Sequence, residues 1–294
     1  MLIAWKYRER DTIIQRLDPR ARIIFMLAML FSVIQFWDLR ITLGFLALAL
    51  TQYFLARLTW RDTRRAWLLI SILIVFMTIL TFLTGRGGVA TAYFEEHVLT
   101  QFGPFSLPIV GWSLTIAISV EKAIFAVTQM VRMYAITSLA IAVPYTIDPS
   151  LYGVTFRGLG LPDKFAYAMD LAFRFVPTLG RDFSITLDSQ RARGYEVEKL
   201  EGGIIAQIRK LAPLIVPVTI NAIVGAEDII DAMDLRCFGV GPRTWLQKLS
   251  YKRADWALIA FSVVLFVGST AVRIAFPALG RVWVPDFVLA WAGF

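Results

Sequence analysis

The sequence predicts an all-α integral membrane protein of about five transmembrane helices, with a water-facing helical domain inserted before the last of them. Hydrophobic residues make up 57% of the 294 positions and the mean hydropathy is +0.64, more apolar surface than one soluble core of that size can enclose. Five runs approach the length of about 20 apolar residues that a bilayer crossing takes. Between the fourth and the fifth, Asp148–Ser250 holds 12 Lys/Arg and 12 Asp/Glu, a balance suited to water and costly in hydrocarbon. The expected divisions are an N-terminal membrane bundle over 1–147, a cytoplasmic domain over 148–250, and a C-terminal span and tail over 251–294.

The first 22 residues carry six Lys/Arg and three acids without an apolar stretch, which reads as a cytoplasmic lead-in rather than a cleaved signal. The spans expected are Arg22–Trp37, Ile41–Ala56, Ala66–Thr84, Ala123–Val143 and Trp256–Ala275. Lys6, Arg8, Arg10, Arg16, Arg20 and Arg22 precede the first, and Arg57, Arg61, Arg64 and Arg65 lie between the second and third. Basic flanks mark the cytoplasmic side, so the N-terminus, the second connection and the charged block are expected there. Residues 85–111, rich in Gly and Pro and containing Glu95-Glu96-His97, are then external. Trp112–Val120 either lies along the outer interface or extends the fourth helix. Arg132 falls within the fourth span and is expected to pair locally inside the bundle, with a moving or substrate-contacting role as the alternative. After Ala275, Pro277, Arg281, Pro285 and Asp286 break the pattern, leaving an interfacial or external tail.

Inside the charged block, Asp148-Pro149-Ser150 has the form of a helix start. Leu161-Pro162-Asp163 opens a longer helix, in which Phe165, Met169, Ala172, Val176, Leu179, Phe183 and Leu187 recur at spacings of three and four and make one apolar stripe. Lys164, Arg174, Arg181 and Asp188 occupy the other face, and Pro177 is expected to kink it. A second long pattern runs from Ile204 to Cys237 with Pro213 and Pro217 inside it. Its middle, Leu211–Ala226, has no charge and competes as a further span; a helix lying along the membrane explains the same composition.

A net charge of +8 raises the question of nucleic acid, but outside the balanced block the 18 basic and 10 acidic residues lie mostly beside apolar runs, as topology requires. The one cysteine, Cys237, excludes an intrachain disulfide, and a single histidine argues against a multi-ligand zinc site. No G-x-x-x-x-G-K-[ST] loop occurs, so neither ATP binding by this chain nor any cofactor is expected. Two rivals remain: a membrane-embedded enzyme using Glu95-Glu96-His97 with a metal, and a self-sufficient secondary transporter. The latter calls for an inverted repeat and broken helices, and no such repeat is visible.

The candidate site is a pair of similar arginine motifs, Gln190-Arg191-Ala192-Arg193-Gly194 and Ala232-Met233-Asp234-Leu235-Arg236-Cys237-Phe238-Gly239. Both fall at expected helix C-termini, where a cation is favoured by exposed carbonyls and the helix dipole. Each arginine therefore either caps its own helix or meets a partner, and two sites point to a partner present in two copies or as two related subunits.

With Arg16-Leu17-Asp18-Pro19-Arg20, Leu159-Gly160-Leu161-Pro162 and Phe173-Arg174-Phe175-Val176-Pro177, these motifs follow an order that resembles the transmembrane T-component of energy-coupling factor (ECF) importers. The resemblance covers roughly Arg16 to Ala275. It implies a cytoplasmic coupling domain with two long crossed helices, whose ends, Ala192, Arg193 and Gly194 on one and Leu235, Arg236 and Cys237 on the other, enter grooves on two ABC ATPase subunits. It also implies a separate membrane substrate-binding S-component for a vitamin or transition metal, and no catalysis by this chain. Leu235 and Cys237 depart from the family's Ala and Gly, which puts the close backbone fit at the second site in question.

Overall fold

The computed structural model describes residues 7, 10–84, 98–107, 112–195, 204–241, 244–286, 288 and 290. Its helices are α1 (Pro19–Ile34), α2 (Leu39–Leu55), α3 (Trp60–Thr84), α4 (Val120–Thr146), α5 (Tyr152–Gly158), α6 (Asp163–Ala192), α7 (Ile204–Leu235) and α8 (Arg253–Ala275). Strands β1 (Val98–Leu107) and β2 (Trp112–Ser119) form one antiparallel hairpin, with Val98 opposite Ser119 and Leu107 opposite Trp112. Of the two expectations for Trp112–Val120, extension of the fourth helix is corrected: Val120 opens α4, and Trp112–Ser119 is strand β2. Its sequence, Trp-Ser-Leu-Thr-Ile-Ala-Ile-Ser, nearly alternates apolar with small or polar residues and is rich in β-branched side chains, the pattern of a strand.

Several helices begin before their apolar runs because polar caps start them. The Asp18 carboxylate accepts a 2.9 Å hydrogen bond from the Arg20 N–H with Pro19 in the first turn, and Asp38 does the same for the Arg40 N–H. Ser119 accepts from the Lys122 N–H, which starts α4 at Val120. The third helix starts at Trp60 rather than Ala66, taking Arg61, Asp62, Arg64 and Arg65 into its first turns.

By length and composition, Trp60–Leu83, Val120–Thr146, Leu211–Leu235 and Arg253–Ala275 can each cross a membrane, and α2 is a shorter apolar helix. The chain divides into two compact units, residues 6–148 with 250–294, and residues 149–249. In the first unit α4 is central. Its Ala135 and Leu139 pack with Phe25 and Met29 of α1 and Ala49 of α2, and its Ile141 and Tyr145 pack with Tyr53 of α2. Ala49, Ala135 and Ser138 are fully buried; small residues let membrane helices approach closely. Buried hydroxyls are satisfied within their helices, as where Ser32 donates to the Ala28 carbonyl and Ser262 to that of Leu258, each at 2.7 Å.

Helix directions follow from contacts at the two ends of this unit. At the end where α1 starts, Arg22 donates to the Thr146 carbonyl at the close of α4, and Tyr145 to the carbonyl of Asp62 at the start of α3. The buried Asp255 carboxylate, at the start of α8, accepts 2.7 Å bonds from the N–H groups of Asp18 and Lys252. At the opposite end Gln35 meets Thr270 and Ser32 meets Ser269, so α1 and α8 are parallel while α4 runs against both. The tail folds onto this second end, with Val282 against Phe125 and the Trp283 ring under the Arg40 guanidinium at 3.9 Å. Residues 149–249 therefore leave and rejoin the first unit at one end, the end where α1 begins.

In the second unit a 3₁₀ turn (Pro149–Leu151) leads into α5, which lies on α6. Gly153 permits this approach, because a Cβ there would stand 2.8 Å from the Ala166 carbonyl oxygen and 2.7 Å from the Asp170 Cβ. Tyr152 stacks on Phe173 at 4.7 Å, and Arg157 pairs with Asp163 at the α5–α6 turn. Helix α6 continues through Pro177, and α7 through Pro213 and Pro217, each as one element.

Candidate functional site

Both arginine motifs close their helices with the same backbone knot. At the end of α6 the Gly194 N–H donates to the Arg191 carbonyl at 2.9 Å and the Tyr195 N–H reaches back to Gln190 at 3.0 Å, with Gly194 at φ +83°. At the end of α7 the Cys237 N–H donates to Asp234 at 2.9 Å and the Phe238 N–H to Met233 at 2.9 Å, with Cys237 at φ +52°. Each is the paired 5→2 and 6→1 arrangement in which a left-handed residue turns the chain and satisfies helix-terminal carbonyls. Arg193 and Arg236 occupy the equivalent position in the two knots.

The backbone thus supplies the cap, and the guanidinium groups are left for something else. Among the described residues neither the Arg193 nor the Arg236 side chain makes a hydrogen bond or ion pair, and both residues are exposed. Ala192 and Gly194 beside the first, and Leu235 and Cys237 beside the second, are exposed as well, Leu235 at 86%. An acidic strip formed by Glu227, Asp228, Asp231 and Asp234, all exposed, precedes Arg236.

The two knots lie far apart within their unit. Phe238 packs its ring on Tyr167 at 4.7 Å, and the Tyr167 hydroxyl contacts the Met233 sulfur, so the end of α7 rests near the start of α6. From Tyr167 to Arg193 is most of the length of α6, about 40 Å at 1.5 Å per residue. The arrangement presents two cations with no side-chain partner among the described residues, each on a similarly shaped helix end, at the two extremes of α6.

The profile of the CbiQ family, described as cobalt transport protein, matches residues 10–246. The chain belongs to this family. Relatives over nearly the whole length include proteins named energy-coupling factor transporter transmembrane protein EcfT. That of Thermosediminibacter oceani is 28% identical, covering 91% of this chain and 96% of the relative. Those of Thermanaerovibrio acidaminovorans and Streptococcus equi subsp. equi are each 28% identical, covering 90% of this chain and 93% and 94% of theirs. The resemblance drawn from the ordered motifs is therefore a family membership, and this CbiQ-family chain is a membrane protein of the transporter-component type.

The remaining motifs fall outside the knots. Arg16 donates two 2.8 Å hydrogen bonds to Asp11, holding that carboxyl below the usual carboxylate range. Arg20 bridges Asp18 and lies 3.9 Å over the Tyr251 ring. Arg132 is buried, reaches Gln129, and lies 3.6 Å over the Trp37 ring, which gives this cation local partners. Glu95-Glu96-His97 lies outside the described residues, and among those described no group of three His, Cys, Asp or Glu is placed to hold a metal. Sequence reasoning missed the Asp18–Asp255 tie and the recurrence of one device at two helix starts: Asp18-Pro19-Arg20 and Asp38-Leu39-Arg40 each join a capping aspartate to an arginine stacked on a distant aromatic ring. The repeated Asp-x-Arg spacing was the available signal.

Proposed function

We propose that this chain is the non-catalytic transmission subunit of an ECF-type ABC importer, with Arg193 and Arg236 docking on two cytoplasmic ABC ATPase subunits. The observation that carries the reading is the pair of matching helix ends whose arginines are free because the backbone has already capped both helices. A planar, permanently charged guanidinium flanked by small or exposed neighbours suits bidentate pairing with a carboxylate in a partner's groove. Two such ends, about 40 Å apart along α6, suit two ATPases, and a change in ATPase spacing on nucleotide binding would move one end relative to the other. The membrane bundle would pass that motion to a separate S-component carrying a vitamin or a transition metal.

Placing both knots on the cytoplasmic side draws on the bundle's ends. Arg10, Arg16, Arg20, Arg22, Arg57, Arg61, Arg64 and Arg65 belong to the end where α1 starts, which basic-flank statistics assign to the cytoplasm. Because residues 149–249 leave and rejoin the bundle at that end, they must cross the membrane an even number of times. A spanning α7 would need a second crossing, and α6, among the described residues the only other helix of that unit with the length, carries eight charged residues. No crossing is the less costly solution, and α7 then lies with its apolar face toward the membrane or a membrane partner.

The test is Arg193→Ala, Arg236→Ala and their combination, at equal membrane abundance. Truncating one partner of a desolvated charge pair costs about 2–5 kcal/mol, so each single variant is expected to recover less ATPase and to lower uptake, and the double variant more so. Wild-type ATPase recovery and uptake in the double variant would refute the docking role.

A further inference from the structure

The first turns of α3 carry an amphipathic cleft of about 590 Å³ lined by Trp60, Arg64, Arg65, Trp67, Leu68 and Ser71. The Arg64 and Arg65 side chains make no ion pair or hydrogen bond among the described residues, and Asp62, the acid beside them, is held by Arg10. Trp60 is 66% exposed, while Trp67 is fixed by donating its indole N–H to the Tyr53 hydroxyl at 3.1 Å. Two unneutralised guanidiniums and an exposed indole therefore converge on one opening. The stripe continues along the same helix face through Leu68, Ile72, Val75, Phe76 and Ile79, every one exposed. From Leu68 to Ile79 this face is about 16 Å long, close to the roughly 15 Å half-thickness of a bilayer's hydrocarbon.

We infer that this cleft is a binding site for an anionic phospholipid, the phosphate of its headgroup between Arg64 and Arg65 beside Trp60, and an acyl chain along Leu68–Ile79. Charge selects the occupant: two cations with no carboxylate between them reject a zwitterionic headgroup's ammonium and accept a net negative one. The apolar stripe distinguishes a lipid from a soluble phosphate, which would need only the arginines. Aromatic side chains at the boundary suit the headgroup level, where one edge of the ring is wet and the rest apolar.

The full chain, purified in mild detergent, is titrated with phosphatidylglycerol, with phosphatidylcholine of the same acyl chains, and with glycerol 3-phosphate, and bound adducts are counted by native mass spectrometry. Phosphatidylglycerol is expected to bind in preference to both others. Arg64→Gln/Arg65→Gln is expected to lose about thirtyfold in affinity for it, and Arg61→Gln, on the same helix but outside the cleft, to retain it. A thermal midpoint equal to the wild type's checks that the double variant is folded, and Trp60→Ala, which leaves the charge intact, is expected to weaken the same adduct. Equal binding of phosphatidylcholine, undiminished phosphatidylglycerol binding by the folded double variant, or equally tight glycerol 3-phosphate would each overturn the assignment. ATPase docking plays no part in this readout, so the two readings fail separately.

Discussion

Cys237 shows how a single residue can keep a shape that its chemistry disfavours. It holds φ +52°, a left-handed backbone that Gly194 adopts freely in the matching knot. A side chain in that region costs roughly 1 kcal/mol or more. Cys237→Gly is therefore expected to raise the thermal midpoint of the detergent-solubilised chain while leaving ATPase recovery intact, and Cys237→Val to lower that midpoint. The departure from Gly was legible in the sequence, but its consequence was not. Composition shows only that a Cβ is present, whereas the hydrogen bonds of the Cys237 and Phe238 N–H groups show that the turn forms regardless. Asp255 teaches the reverse lesson. A carboxylate in the first turn of a helix reads as a local cap, and it does accept from Lys252, yet its other oxygen holds the Asp18 N–H across 237 residues. Asp255→Ala strands the buried Asp18 N–H, at about 1–3 kcal/mol, and leaves the part-buried Lys252 N–H to water. A lowered thermal midpoint, with faster hydrogen exchange at the starts of both α1 and α8, is the expected result.

At the scale of elements, most helices were legible because apolar runs, aspartate caps and prolines mark them within a few residues. The errors lay where a local pattern was outweighed. Helix α3 begins six residues before its apolar run, since charged first turns are tolerated at the water boundary. Trp112–Ser119, weighed as an interfacial stretch or an extension of the fourth helix, is a strand and no helix, and its two-residue period is easy to overlook in eight residues. Packing was not legible at all: nothing around Gly153 announces that α5 approaches α6 closely enough to exclude a methyl group. Gly153→Ala is expected to separate the two helices at about 1–3 kcal/mol, seen as increased proteolysis at the turn over Leu159–Leu161 with the membrane bundle unaffected. Phe238→Ala removes the ring that rests on Tyr167 and should speed amide exchange over the last turn of α7, displacing Arg236 without touching it.

For the whole molecule, the number of membrane crossings in 149–249 is the quantity that joins fold to function. In a preparation lacking ATPases, a membrane-impermeant thiol reagent is expected to label Cys237, which is exposed, from the cytoplasmic face only. A cysteine at Ser189, placed by Ser189→Cys in a chain with Cys237→Ser, is expected to label from the same face. Labelling of the two positions from opposite faces would make α7 a span and remove the docking proposal. The apolar runs of α3, α4 and α8, each long and apolar enough to cross a membrane, were legible. That α1 and α8 lie side by side was not, because no periodicity links residues so distant. Their pairing also sets a schedule for synthesis. Translation at about 5–20 residues per second puts roughly 10–45 s between the completion of α1 and the emergence of α8. Throughout that interval the Asp18 N–H has no Asp255 to receive it and one flank of α1 has no partner helix. The bundle made in this order stays open on one flank until the inserted domain has been made, and a chain truncated before Arg253 is expected to be degraded rather than to accumulate as a smaller folded protein.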